Sequence, residues 1–189
     1  ADELLYRRGN FTGPMDQMIC DALRKELDAQ IALSPGFRWG ATVLAGAPIT
    51  MEDLLSETAI TYPEVYVQDM AGSQIKAVLE DIADNLFNPD PYYQQGGDMV
   101  RVGGMDYACT PDQVVGARIS AMQLDDGRSI EADKTYRVAG WASVNPQSGK
   151  PVSDIVAAHL RREKIVKINH LNRVALKGVL NNPGFAQGG

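Results

Sequence analysis

Apolar residues recur at three- and four-residue steps through Met15, Ile19, Ala22, Leu23, Leu27 and Ile31, which predicts an amphipathic helix over residues 15 to 30. Pro14 suits its first turn, where a missing N–H costs nothing. Ile31 to Leu33 reads as a short buried strand ending in a Pro35-Gly36 loop that presents Phe37, Arg38 and Trp39. Thr50 followed three residues later by Asp53 predicts a capping-box start to a short helix. "EVYVQDM" alternates as a strand does. "GSQIKAVLEDIADNLF" repeats Ile75, Val78, Leu79, Ile82 and Leu86 at helical spacing, with Ser73 as its expected cap.

A Pro/Gly-rich loop with adjacent Tyr92 and Tyr93 precedes "DMVRVGGMDYACTP". That stretch predicts a strand over Met99 to Val102, a Gly103-Gly104 pair, and a second apolar run ended by Pro111. "ARISAMQL" and "KTYRVAGWA" read as strands flanking "DDGRS", whose Asp126-Gly127 is a hairpin-turn signal. "VSDIVAAHLRR" predicts a third helix capped by Ser153 or Asp154, and "NNPGFAQGG" a frayed end. Helices and strands alternate irregularly, so the expected class is α/β in the α+β sense: one domain over residues 1–189, with mixed sheets layered against helices.

The glycine pair raises a question about use. A strand-terminal Gly-Gly lets the backbone turn sharply, or lets another group come very close. The structural use, a corner or bulge, is the commoner one, and a cleared channel for a ligand is the other.

At 189 residues with 44% hydrophobic and 22% charged residues, the chain has the make-up of an ordinary globular domain. Its net charge of −6 divides unevenly: residues from 160 onward carry +5 and the first 159 carry −11. An acidic body argues against general nucleic-acid binding. The basic stretch reads as a solvated face or a seam against an acidic surface. Cys20 and Cys109 are too far apart for a CxxC motif, and Cys20 falls on an apolar helical face, as a buried free thiol does. "ADELLYRRGN" has no long apolar run of the signal-peptide kind, so the expected alternatives are a cytoplasmic protein or a piece of a longer one.

Catalytic sets are missing. His159 falls on the third predicted helix and His170 in the basic stretch, with no HxxxH spacing. Asp125-Asp126 belongs to a turn and Glu52-Asp53 to a helix start. No GxSxG elbow, Walker loop or GxGxxG fingerprint occurs. Binding groups do occur on predicted loops: Arg38 after Pro35-Gly36, Trp141 at a strand end, and the Gly103-Gly104 corner. A guanidinium there can fork onto an anion or simply be solvated. A strand tryptophan is more often core than pocket wall. Strand-end loops of α/β domains are nonetheless where ligand sites gather.

The order of "IALSPGFRWG", "GAPITMEDLL", "VQDMAGSQIKAVLE" and "VRVGGMDYACTPDQVVGARISAMQLDDGRSIEADKTYRVAGWASV" resembles the C-terminal domain of the 5'-nucleotidase family over residues 10 to 160. "RRGNFTGPMDQMICDAL", "MVRVGG", "YRVAGWASV" and "LKGVLNNPG" are more similar to its Sox-type thiosulfohydrolase branch.

The resemblance implies an N-terminal calcineurin-like metallophosphoesterase domain, absent from this chain, that holds two manganese ions and the catalytic dyad; the family's DxH and GNHE motifs do not occur here. It implies a substrate-binding set of Arg38, Arg101, Gly103, Gly104, Met105, Trp141 and Asn145, with no catalytic or metal-ligating residue in this chain. Arg38 takes the position of the arginine in the family's "NGGGIR"-like loop. Trp141 falls near one base-stacking aromatic position, and Gly104-Met105 replace the other. That departure suits a slim substrate, the S-thiosulfonated cysteine on the carboxy-terminal arm of a Sox carrier protein. Under that expectation Gly103-Gly104 clear space for the arm. The implied location is the periplasm, with no nucleic-acid or membrane partner. A nucleotidase or cyclic-nucleotide phosphodiesterase domain, or a stand-alone binding module, are the alternatives.

Overall fold

The computed structural model describes residues 1–7, 9–37, 40–143 and 148–179. Helix α1 (Pro14–Glu26) opens with proline after an extended Gly13 and carries Arg24 and Lys25 in its last turn, where cations suit the helix dipole. Its Met15, Met18, Ile19, Ala22 and Leu23 are buried, as the periodicity predicts. Strand β1 (Ile31–Ser34) follows. Helix α2 (Met51–Glu57) starts in the predicted capping box: the Asp53 N–H donates to Thr50 Oγ1, and the Thr50 N–H donates to the Asp53 carboxylate. Strand β2 (Val65–Ala71) runs straight into helix α3 (Gly72–Phe87). Ser73 is not its cap. Ala71 precedes the helix, and its N–H donates to the Gln74 side chain.

Strands β3 (Arg101–Gly103), β4 (Met105–Cys109), β5 (Ile119–Leu124) and β6 (Thr135–Trp141) come next, then helix α4 (Val152–Glu163) and strand β7 (Val174–Leu176). Pro151 precedes α4, so Ser153 and Asp154 lie inside its first turn and neither caps it.

The strands form two mixed sheets, in the orders β2-β6-β1-β3 and β5-β4-β7. The predicted hairpin is corrected here. Asp126-Gly127 does reverse the chain, with Gly127 at φ +83° and Gln123 bridged to Ser129, but β5 and β6 belong to different sheets. β5 pairs with β4, whereas β6 pairs parallel to β1 and antiparallel to β2. Side chains of the larger sheet alternate between two cores. Ala32, Ala139 and Trp141 face α1, α2 and α4. Ile31, Leu33, Tyr136 and Val138 face α3 and the smaller sheet.

The glycine pair marks the passage between sheets: β3 ends at Gly103 in the larger sheet, and β4 begins at Met105 in the smaller. Gly104 takes φ +80°, a region that side-chain-bearing residues avoid.

Candidate functional site

A pocket of about 340 Å³ opens where the parallel pair β1 and β6 ends, the sheet edge where ligands of α/β proteins gather. Its wall includes Ser34, Pro35, Gly36, Tyr66, Asp98 and Trp141, and α3 adds an apolar side with Val78 and Ile82. Trp141 is buried, and its Nε1 donates to Ser34 Oγ at 2.9 Å. Phe37 meets it edge-on, with centroids 6.2 Å apart. Tyr66 stands opposite Gly140 in the register, and a Cβ on Gly140 would lie 2.3 Å from the tyrosine ring, so the missing side chain is what admits the ring. Burial pushes the Tyr66 hydroxyl above its ordinary pKa. Both uses of Trp141 meet in one residue: it is packed in the core and it lines the pocket.

Among the described residues the wall carries the Asp98 carboxylate and no lysine or arginine. A cation for an anionic ligand has to come from elsewhere. Arg38 follows Gly36 by two residues, but Arg38 and Asn145 lie outside the described residues.

The remaining expected site residues lie away from this wall. Arg101 is fully buried. Its guanidinium donates to the carbonyls of Gly9, Asn10 and Met99 and stands 3.4 Å from both Asp16 and Asp98. Met105 is buried in the core between α3 and the two sheets. At the glycine pair the space is already filled: a Cβ on Gly103 would lie 2.5 Å from the Cβ of Cys20, and one on Gly104 would lie 2.2 Å from the Gln30 carbonyl. What comes close at this corner is α1 and its following turn.

A polar clasp fixes the same corner. The Gly104 N–H donates to Asn172 Oδ1 at 2.8 Å, and Asn172 Nδ2 donates to Asp125 and Asp106. Asn172 also exchanges two hydrogen bonds with Gln17 of α1. One grouping of metal-ligand types occurs among the described residues: Asp106, Asp125 and His170, with atoms within 4.8 Å of one another. This clasp takes it up, since Arg24 pairs with Asp125 at 2.8 Å and the Arg173 N–H donates to Asp106 at 2.7 Å. The basic stretch is therefore partly structural. It delivers Asn172 to the corner and β7 to the edge of β4. Sequence reading missed both, because a three-residue strand has no period to detect.

Cys20 and Cys109 are free and buried. Burial raises both thiols, Cys109 to about 11, so neither is a ready nucleophile. No helix among the described residues is long and apolar enough to cross a membrane.

Residues 6–149 match the family model described as the C-terminal domain of 5'-nucleotidase. The chain belongs to that family. Its mixed sheets and helices match the 5'-nucleotidase C-terminal fold. Among solved structures it is similar to a sulfate thiohydrolase SoxB of Thermus thermophilus, with 35% identity over 94% of this chain and a TM-score of 0.85. A 5'-nucleotidase precursor, also from Thermus thermophilus, shares the fold at 20% identity, with a TM-score of 0.74 over 96% of this chain. The trifunctional nucleotide phosphoesterase protein YfkN of Bacillus subtilis is 31% identical over 135 residues. This 5'-nucleotidase C-terminal domain spans 34% of the SoxB chain, 39% of the nucleotidase chain and 8% of YfkN.

Proposed function

We propose that this domain is the substrate-binding part of a larger thiosulfohydrolase that releases sulfate by hydrolysis from a carrier-bound cysteine S-thiosulfonate. The observation that carries the reading is the 35% identity to SoxB across 94% of the chain, against 20% or less for the nucleotidase structures. The rest of the enzyme is an N-terminal metallophosphoesterase domain with two manganese ions, and the setting is the periplasm. Such metal ions, when bound, would supply activation of water and charge stabilisation. This chain's residues bind and orient.

In this reading Trp141, Tyr66 and the Ser34-Pro35-Gly36 segment form the wall along which the carrier arm lies, with Asn145 nearby in sequence. Arg38 supplies the cation that the described wall lacks and forks onto the terminal sulfonate oxygens. A nucleotide substrate is the second reading. It draws support from the relationship to YfkN and from two aromatic residues, Tyr66 and Trp141, in one wall. Side-by-side turnover of AMP and of a peptide ending in cysteine S-thiosulfonate by the full-length protein separates the two.

Two outcomes are expected. The chain by itself, supplied with manganese, turns over neither substrate above the metal-only blank, because in this reading the metal ions and the catalytic dyad belong to the N-terminal domain; clear turnover refutes this. In the full-length enzyme Arg38→Ala lowers kcat/KM by roughly 10- to 150-fold, the worth of one charged hydrogen bond, with little change in Tm. Unchanged kinetics remove Arg38 from the site.

A further inference from the structure

Tyr92 and Tyr93 stand out in solvent on the Pro/Gly-rich loop between α3 and β3. The loop is closed at its neck, where the Gly96 N–H donates to the Asn85 carbonyl in the last turn of α3 at 3.2 Å. Both of these residues line the pocket. The loop therefore rises from the pocket's own wall and forms part of its rim.

Bonds inside the loop hold its shape. The Asn88 amide donates to Asp84 at 2.9 Å, the Asp90 carboxylate accepts from the Tyr92 N–H at 2.9 Å, and the Gln94 amide reaches back to the Asn88 carbonyl at 2.7 Å. Pro89 and Pro91 fix two backbone angles in between, and Pro91–Tyr93 form a single 3-10 turn. This braced turn holds Tyr92 87% and Tyr93 60% exposed, with the rings edge-on and their centroids 5.4 Å apart. Rings kept in water add little to stability, and exposed aromatic surface on a compact closed loop marks a place of contact.

The chemistry of the rim narrows what it can hold. From residue 85 to 98 the charged side chains are Asp90 and Asp98, both acidic, so the rim disfavours a polyanion. Gln94 and Gln95 are exposed, and their amides offer donors and acceptors to a peptide main chain. A Cβ added at Gly96 or Gly97 meets nothing within 4 Å, so the backbone between the tyrosines and the pocket is open for another chain to lie against. Tyrosine rings supply large, rigid contact area at a small entropy cost. We propose that Tyr92 and Tyr93 are specificity-determining contacts for a peptide-borne substrate: they seat an extended, non-acidic segment leading to the reacting cysteine, whose modified end enters the pocket. The proposal rests on the thiosulfonate reading given above and adds to it the recognition of the peptide.

The test uses the full-length enzyme with three probes: cysteine S-thiosulfonate as a single amino acid, the same group at the end of a peptide of about ten residues, which spans roughly 33 Å when extended, and AMP. Replacing both rings, Tyr92→Ala with Tyr93→Ala, should lower kcat/KM for the long peptide by roughly 5- to 30-fold, as truncation of aromatic anchors does. The loss should sit in KM, since the contacts lie away from the reacting bond. The single amino acid should react as with wild type, and Tm should hold, because both rings are exposed. Tyr92→Phe with Tyr93→Phe keeps the rings and should keep the KM of the long peptide. An unchanged long peptide in the alanine pair overturns the proposal, as does an equal loss on both thiosulfonate probes; the thiosulfonate reading survives either result. A lowered melt accompanying the equal loss would assign the loop to the fold. If wild type turns over AMP and neither thiosulfonate probe, the substrate reading fails first and the peptide contact falls with it.

Discussion

Gly104→Val should unfold the domain more readily and impair every substrate together. The backbone at Gly104 sits at φ +80°, where a residue with a Cβ is strained by about 1–2 kcal/mol. The new Cβ would also start 2.2 Å from the Gln30 carbonyl oxygen and 2.6 Å from Arg24 Nε. Arg24 can swing aside at the cost of its pairing with Asp125, but the carbonyl belongs to the chain between α1 and β1 and has nowhere to go. Overpacking of this kind adds about 1–3 kcal/mol. For a domain of this size the sum of about 2–5 kcal/mol lowers Tm by roughly 4–20 °C. Thermal melts, with kinetics on AMP and on the thiosulfonated peptide alongside, check it. A variant that blocks only the peptide while melting normally would make the glycine pair a channel after all; equal loss with a lowered melt keeps it a corner.

The sequence was legible where the signal is local. The period of α1, the Thr50–Asp53 capping box and the Asp126-Gly127 reversal all appear as read, since each depends on residues within a turn or two of one another. Partition of the strands into two sheets was not legible. Nothing in "ARISAMQL" or "KTYRVAGWA" records that one pairs with β4 and the other with β1 and β2, because those partners come from distant parts of the chain. The pocket was half legible. Trp141 and the Pro35-Gly36 loop could be placed at strand ends, whereas Tyr66 and Asp98 reach the same wall only through the sheet register and the loop before β3. Tyr92 and Tyr93 were legible as loop residues, but their place on the rim follows from the Asn85–Gly96 bond and from the packing of α3 beside the pocket.

Arg101→Leu is expected to cost more stability than any substitution at the pocket wall. In "MVRV" this arginine occupies what reads as the polar position of an alternating strand, a natural place for a residue aimed at ligand. Its surroundings give it another task. The guanidinium closes the segment between residues 9 and 10 onto β3 through two carbonyls, bonds the Met99 carbonyl, and stands between Asp16 and Asp98. Asp16 is already pushed above the ordinary carboxylate range by burial, and Arg7 and Arg101 hold it down. Leucine fills most of the volume but takes the Arg101 charge away from both Asp16 and Asp98, a loss of about 3–5 kcal/mol for breaking a buried pair. The decisive comparison sets Arg101→Leu beside Arg38→Ala in the same full-length protein. The first should drop Tm by roughly 6–20 °C and reduce activity mainly through loss of folded enzyme, while the second should change kcat/KM with an unmoved melt. Arg101→Leu that melts like wild type but loses kcat/KM would put Arg101 in contact with substrate, and the buried network around Asp16 would then have to open when substrate binds.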